Sequence, residues 1–295
     1  MTQQPTTISP LLSTPYITVE EFKLAPTGVD VDDLVGGGSA AVNDQELANV
    51  IARASSWIDG HCGQVLAATT DTDSFRARVS RDGMLKVHPR FTPVVSVVSA
   101  SFGSQPTFMQ ALDVSTAWIE PMAVVFPLSG TSASFFGSLG FGYRFSPVSE
   151  QFVTITYVNG YANTLLSSNA LSGASALIVD DLSGFTPSHQ FFVYDSDKTE
   201  LLTVDPNFVP TSGAGSLPIV GTLSHAHTAG ISVSALPPAV KQAAIYMTAA
   251  VLKARGNATL VMSTLTPSQF METNPAAMND YQSALDLLKP YRRIR

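Results

Sequence analysis

The 295-residue chain has a single cysteine, Cys62. An internal disulfide framework is therefore excluded, as is a zinc site built from several thiolates. The lone thiol reads as a small apolar residue packed at a helix end. Charge is scarce as well: 13% of the residues are Asp, Glu, Lys or Arg, against roughly 25% in an ordinary soluble domain. A surface so poor in charge implies cover by other subunits. The uncharged run from Pro121 to Tyr143 is broken by Pro127, Gly130, Gly137, Gly140 and Gly142. That pattern is unlike a membrane-spanning helix, so no membrane contact is expected. The opening residues Met1 to Thr7 lack a basic patch followed by an apolar core, which points to folding in a cytoplasm rather than to export.

The net charge of -7 disfavours general affinity for nucleic acid, but it is unevenly spread. Eight acids (Glu20, Glu21, Asp30, Asp32, Asp33, Asp44, Glu46, Asp59) face Lys23 and Arg53 before Gly63. From Leu236 onward the balance reverses, with Lys241, Lys253, Arg255, Lys289, Arg292, Arg293 and Arg295 against Glu272, Asp280 and Asp286. Such polarity suits a subunit whose two ends meet different partners, or meet each other around a ring.

Residues 1–15 are polar and contain proline, the composition of a mobile arm. Thr18 followed by Glu21 fits a capping box and predicts a short helix from Val19 to Leu24. Gly36 to Ser39 is a flexible break, after which Asn43 and Glu46 resemble a second capping box. Leu47, Val50, Ile51, Ala54, Trp57 and Ile58 recur at helical spacing on one buried face, with Gly60 and Gly63 as the stop. Strand signals follow at Phe75 to Val79 and Met84 to His88, joined by a turn at Arg81 to Gly83, then at Val94 to Val98 and Phe152 to Tyr161. Residues 107–145 alternate apolar and small residues, which predicts strands with a loose loop.

Between Tyr161 and Leu236 the texture changes. Residues 163–235 are rich in Ser, Gly and Thr, with strand signals at Ala176 to Val179, Gln190 to Tyr194, Thr199 to Val204, Leu217 to Val220 and Ile231 to Val233. Asp195 to Lys198 reads as a hairpin turn. Short strands at even spacing imply a small barrel or sandwich. Helical signals return with Pro237 and Pro238 in a first turn. Val240, Ala244, Met247, Val251 and Ala254 then form one face, and Gly256 is the stop. Asn274 and Pro275 start a last helix, with Met278, Tyr281, Leu285 and Leu288 inward and Pro290 as its end. The expected fold class is thus α+β: a helical host with a small β-element over residues 16–162 and 236–295, carrying an inserted all-β barrel- or sandwich-like domain at 163–235.

No catalytic constellation emerges, and no cofactor or metal is expected. His225 and His227 would share a strand face, but no third ligand stands at a telling spacing, so a polar turn is the preferred reading. Asp30 to Asp33 lacks the glycine and distal glutamate of a calcium loop and reads as a solvated acidic loop. His61 and Cys62 point about 100° apart if both are helical, too far round to act as base and nucleophile. Gly137 to Gly142 lacks the spacing and the lysine of a phosphate loop. The basic ending from Lys289 to Arg295 reads as a protein-interface anchor in preference to a DNA contact, since only a few charges gather there, or equally as a plain solubilising tail. An enzyme is not expected.

With 163–235 set aside, the order of signals resembles the tailed-phage head-tail connector family, also called head-completion or adaptor proteins. The matching pieces are Tyr16 to Phe22, the helix Leu47 to Asp59 ending in Ala54-Ser55-Ser56-Trp57-Ile58-Asp59, Leu85 to Pro89 with Pro93 to Val97, and Thr154 to Tyr161. Leu236 to Ala243 and the ending Ala284 to Arg293 complete the match. The resemblance implies a non-enzymatic virion protein of the neck, assembled in the host cytoplasm. It implies a homo-oligomeric ring, commonly of twelve copies, beneath the portal protein. DNA would pass through its channel without sequence-specific binding, and a tail or stopper protein would dock below. It also assigns the portal contact to the C-terminal segment: Lys289, Tyr291, Arg292, Arg293, Ile294 and Arg295. The β-domain and the stretch 107–145 depart from compact members of that family. An alternative expectation is a surface-binding or decoration protein. Its β-domain would recognise another virion protein, or a glycan through Phe185, Phe191, Phe192, Tyr194 and Phe208.

Overall fold

The first helix starts as its sequence predicts. In the computed structural model, which describes residues 14–80, 83–128, 150–255 and 275–293, the Thr18 hydroxyl accepts the Glu21 amide at 3.2 Å. The Glu21 carboxylate accepts the Thr18 amide at 2.6 Å. Two orphan donors are satisfied together, which sets α1 at Val19–Leu24. Just ahead of it, Tyr16 and Ile17 are buried. The Tyr16 amide donates to the Ser55 hydroxyl at 3.1 Å and its phenol to the Asp59 carboxylate, so the segment is strapped along the next helix.

That helix, α2 (Ala40–Cys62), begins three residues before the expected start at Asn43. Asn43 is not its cap. The side chain is buried and turns back to brace the preceding loop: Oδ1 accepts the Val35 amide at 2.9 Å, and Nδ2 donates to the Asp32 carbonyl. Glu46 instead meets Arg53 at 3.0 Å on the exposed side. Gly60 lies inside the helix rather than ending it. The stop is Gly63 (φ +69°), a left-handed conformation that a side chain would disfavour. Leu47, Val50, Ile51, Ala54, Ile58 and Cys62 are buried, in line with the helical spacing.

The chain's last helices complete this unit, which comprises Met1–Cys62 with Pro237–Arg295. Helix α3 (Pro238–Arg255) packs against both α2 and α4 (Pro275–Leu288). It is buried well beyond its predicted face, with Ala243, Ala249, Ala250 and Leu252 also inside, as befits a central helix. In α4 the buried line is Ala277, Ala284 and Leu288, while Met278, Tyr281 and Leu285 are half-buried. Lys253 Nζ of α3 reaches Asp280 Oδ2 of α4 at 2.6 Å. Pro290 follows α4 in a 3-10 turn, Lys289–Tyr291.

The second unit, Gly63–Leu236, holds all thirteen described strands. β1 (Thr69–Arg78), β3 (Val94–Gln105), β4 (Phe108–Ala111) and β7 (Glu150–Asn159) form an antiparallel sheet in the order β1-β7-β3-β4. β2 (Met84–Val87), β5 (Trp118–Glu120) and β6 (Ala123–Pro127) form another, in the order β2-β6-β5. Both sheets bury residues in one apolar core that includes Val79, Leu85, Phe102, Phe126, Ile155 and Tyr157. The expected hairpin of β1 with β2 is limited to the bridge Val79–Leu85. Along its length β1 pairs with β7 instead, and β2 with β6. The Gly137 to Gly142 loop lies outside the described residues.

A separate core gathers Leu166, Val179, Phe191, Val204, Leu217 and Val233 among others. Its strands are β8 (Asn163–Leu165), β9 (Ala176–Val179), β10 (Gln190–Tyr194), β11 (Glu200–Thr203), β12 (Gly215–Pro218) and β13 (Ser232–Ser234). Ladders run β11-β10-β13-β8 and β12-β9. The bridges Leu166–Val179 and Val204–Ile219 join the two, so the hydrogen bonding returns to its starting strand and leaves no long open edge. β8 was missing from the sequence reading. It is the partner of β13, with Asn163 opposite Ser234, so the chain enters and leaves this barrel on neighbouring antiparallel strands. At the entrance Gly160 (φ +91°) passes so near Ala67 that an added Cβ would lie 2.5 Å from its carbonyl oxygen.

In the helical unit, Lys241 of α3 is buried and its Nζ meets Glu21 Oε1 at 2.5 Å. Burial pulls its ammonium below the ordinary 10.5, and Glu21 opposes that. Breaking one side of such a pair strands a buried charge, whereas removing both sides does not. Lys241→Met is expected to cost about 3 kcal/mol. Adding Glu21→Gln, which keeps an acceptor for the Thr18 amide, should recover most of that loss. Urea unfolding of the two variants checks the pair.

Candidate functional site

The segment assigned to a partner contact begins where α4 ends. Leu288 is buried, and Lys289–Tyr291 form the 3-10 turn after it. The Arg293 amide then donates to the Cys62 carbonyl at 2.9 Å. Cys62 is the last residue of α2, so the tail satisfies one of the carbonyls that a helix end leaves without a partner. Arg292 is exposed, and its charge is felt at His61 and Cys62. This places a guanidinium at the negative end of the α2 dipole. Lys289 is exposed and pairs with Asp286 at 2.7 Å in open solvent, a contact of small energetic weight. Tyr291 and Arg293 are half-buried. Ile294 and Arg295 lie outside the described residues. Two cations therefore project from a backbone pinned at both sides, by α4 and by the end of α2.

The His61–Cys62 pair offers no chemistry. Cys62 is fully buried, and burial with the nearby Asp59 charge pushes its thiol up to about 12. A thiol held there is almost wholly protonated near neutrality and a poor nucleophile. Burial and Arg292 also lower His61 below its ordinary 6.5. The Asp30 to Asp33 loop is a turn held by Asp30 Oδ1, which accepts the Asp32 amide at 3.0 Å, and by Asn43, which donates to the Asp32 carbonyl; the three carboxylates are exposed.

His225 and His227 do not share a face. They lie in a loop, His225 exposed and His227 buried. The His227 ring bridges two carboxylates, Nδ1 to Asp195 Oδ2 at 2.8 Å and Nε2 to Glu200 Oε1 at 3.1 Å. Glu200 also accepts the Ser224 amide at 2.8 Å and the His225 amide at 2.7 Å. Alternation along β11 explains how a carboxylate comes to be inside: Glu200 is in phase with Leu202 and Val204, all buried. A buried carboxylate needs such partners. Both ring nitrogens are engaged, which leaves neither to act on a substrate. Among the described residues no group of three or more His, Cys, Asp or Glu side chains is placed to hold a metal. Sequence reasoning missed Asp195 and Glu200. The two-residue phase of Glu200 with Leu202 and Val204 was the available signal.

Of the aromatics considered for glycan contact, Phe185, Phe191 and Phe208 are buried in the barrel core, the first two edge to face at 5.4 Å. Phe192 and Tyr194 are half-buried on the other side of β10, with ring centres 5.4 Å apart. Among the described residues no helix is long and apolar enough to cross a membrane. No family model matches the chain, and neither a curated protein nor a solved structure does.

Burial tends to raise the Glu200 carboxyl. The Ser224 and His225 amides and the His227 ring outweigh that and hold it below its ordinary 4.5. The folded group thus takes up its proton less readily than the unfolded one. Its contribution is complete above about pH 4.5 and fades as acid protonates the folded carboxylate. Glu200→Ala is expected to cost about 3 kcal/mol at pH 7, and the gap to the native protein should narrow below pH 4.5. Chemical unfolding across that pH range measures both.

Proposed function

We propose that this chain is a non-enzymatic head-tail adaptor: a virion neck protein that assembles as a homo-oligomeric ring on the portal, surrounds the DNA channel and offers a docking surface to a tail or stopper protein. In this reading the helices and the first β-core are the connector host, and residues 163–235 are an inserted barrel. The order of motifs from Tyr16 to Arg293 supports it.

The observation that carries the portal assignment is the anchored tail. Arg293 is tied by its amide to the end of α2, while Lys289 and Arg292 are exposed. A backbone that is already ordered has little further freedom to lose on binding, which leaves only the side chains to be immobilised. Lys289, Tyr291, Arg292 and Arg293, with Ile294 and Arg295, would form the portal contact. The scarcity of charge across the chain supports extensive subunit packing. The net charge of -7 would let DNA pass without the phosphate neutralisation that drives non-specific binding.

The test uses the purified full chain with its portal. Rings or neck complexes are expected by light scattering and electron microscopy, and none with the portal present would overturn the reading. Lys289→Glu with Arg292→Glu should weaken portal binding about tenfold or more, or ~1.4 kcal/mol, with only a small fall in melting temperature from the lost charge at the end of α2 and the lost Asp286 pair.

A further inference from the structure

Around the start of α2 the helical unit leaves three large apolar side chains in water: Leu24 (62% exposed), Val42 (46%) and Val35 (37%). They share one face. Lys23, the neighbour of Leu24, pairs with Asp44 near the start of α2 at 2.5 Å, and the charges of Glu20 and Asp32 act on it as well. Asn43, the neighbour of Val42, accepts the Val35 amide and donates to the Asp32 carbonyl. The end of α1, the loop 30–35 and the first turn of α2 are held together in this way, and Glu20, Asp30, Asp32 and Asp33 stand exposed around the apolar side chains. The dipole of α2 accounts for acids near its start. It does not account for a leucine and two valines left in water beside them. Exposed apolar side chains gathered inside a polar rim are the mark of an interaction surface.

The complementary charge lies at the other end of the same helix. There the Arg293 amide is bonded to the Cys62 carbonyl, and Lys289 and Arg292 are exposed on either side of the half-buried Tyr291. The 23 residues of α2 set the two faces about 33 Å apart at a rise of 1.5 Å per residue. That is several times the Debye length of about 8 Å at physiological salt, and the bond at Cys62 keeps the tail at its own pole. Within one chain the two faces therefore do not meet. Between copies nothing separates them, and the contact they make is heterologous, the head of one chain against the tail of the next.

We propose that the face formed by Leu24, Asp32, Asp33, Val35 and Val42 is the docking site for the basic tail of a second copy of this chain. Lys289 and Arg292 of one copy meet the carboxylates of the other, and Tyr291 supplies the aromatic that such contacts favour. The contact goes beyond the adaptor reading and rests on it in one respect: the portal, which takes the same tail there, would displace the neighbouring copy.

The test is sedimentation velocity on the purified full chain, without portal, over a range of protein concentration and salt. The mean mass should rise with concentration and fall as salt screens the exposed charges. Asp32→Lys with Asp33→Lys in one variant, and Lys289→Ala with Arg292→Ala in another, should each raise the dissociation constant tenfold or more. All four side chains are exposed, and circular dichroism melting checks that both variants fold; the milder Asp32→Asn with Asp33→Asn should act in the same direction. Mixing the two variants is the decisive arm. Each has lost one face and kept the other, so the mixture should form 1:1 dimers and nothing longer. A native chain that stays monomeric at every concentration, association that salt strengthens, variants that associate like the native chain, or a mixture that stays monomeric would overturn the proposal. Because no portal is present, portal binding fails or succeeds independently of this result.

Discussion

The buried ion pair between Glu21 and Lys241 is the contact on which the helical unit turns. It joins α1 to α3 across 220 positions of sequence, and it reuses a carboxylate whose other oxygen caps α1. Everything between those helices in the chain must leave and return before the pair can close. The two further ties repeat that logic: Lys253 with Asp280 links α3 to α4, and the Arg293 amide seals the end of α2. The acidic beginning and the basic end of the sequence, which suggested ends that meet different partners or each other around a ring, thus meet in part within one folded unit. Lys289, paired with Asp286, and Arg292 remain exposed on the anchored tail.

A chain with few charges spends many of its carboxylates on its own loops. Asp181 accepts the amides of Ser183 and Gly213, at 2.9 and 2.8 Å, and so ties two loops of the barrel. Asp73 accepts the Tyr157 hydroxyl at 2.7 Å and the Arg90 amide at 2.6 Å, which fixes the approach to β3. Desolvation and that hydrogen bond push the Tyr157 phenol far above its ordinary range. Glu200 and Asp195 clamp His227 in the same spirit. Of these, Glu200 is held below its ordinary value, against the effect of burial, by the amides it accepts and by the His227 ring, so its grip weakens in acid.

The sequence was most legible where the signal is local. The Thr18–Glu21 capping box and the short apolar runs of β9 and β10 each located their element to the residue. It was least legible where the decision is made far away. Asn43 looks like a cap but is claimed by Asp32 and Val35. β1 looks like half of a hairpin with β2, yet β7 offers ten residues of ladder against one bridge. The tail was visible as a run of basic residues, whereas its backbone tie to Cys62 had no signature at all. The His227 clamp was half visible: the histidine stood out, but of its partners Asp195 reads as a turn residue and Glu200 as one position of a strand.

The central claim is that the first and last helices form one cooperative body. Native-state amide hydrogen exchange across α1 to α4 tests it most directly. The account predicts that the slowest amides of α2 and α3 open together, with one common free energy and one common dependence on denaturant. Independent opening of α3 and α4 while α2 stays protected would contradict it.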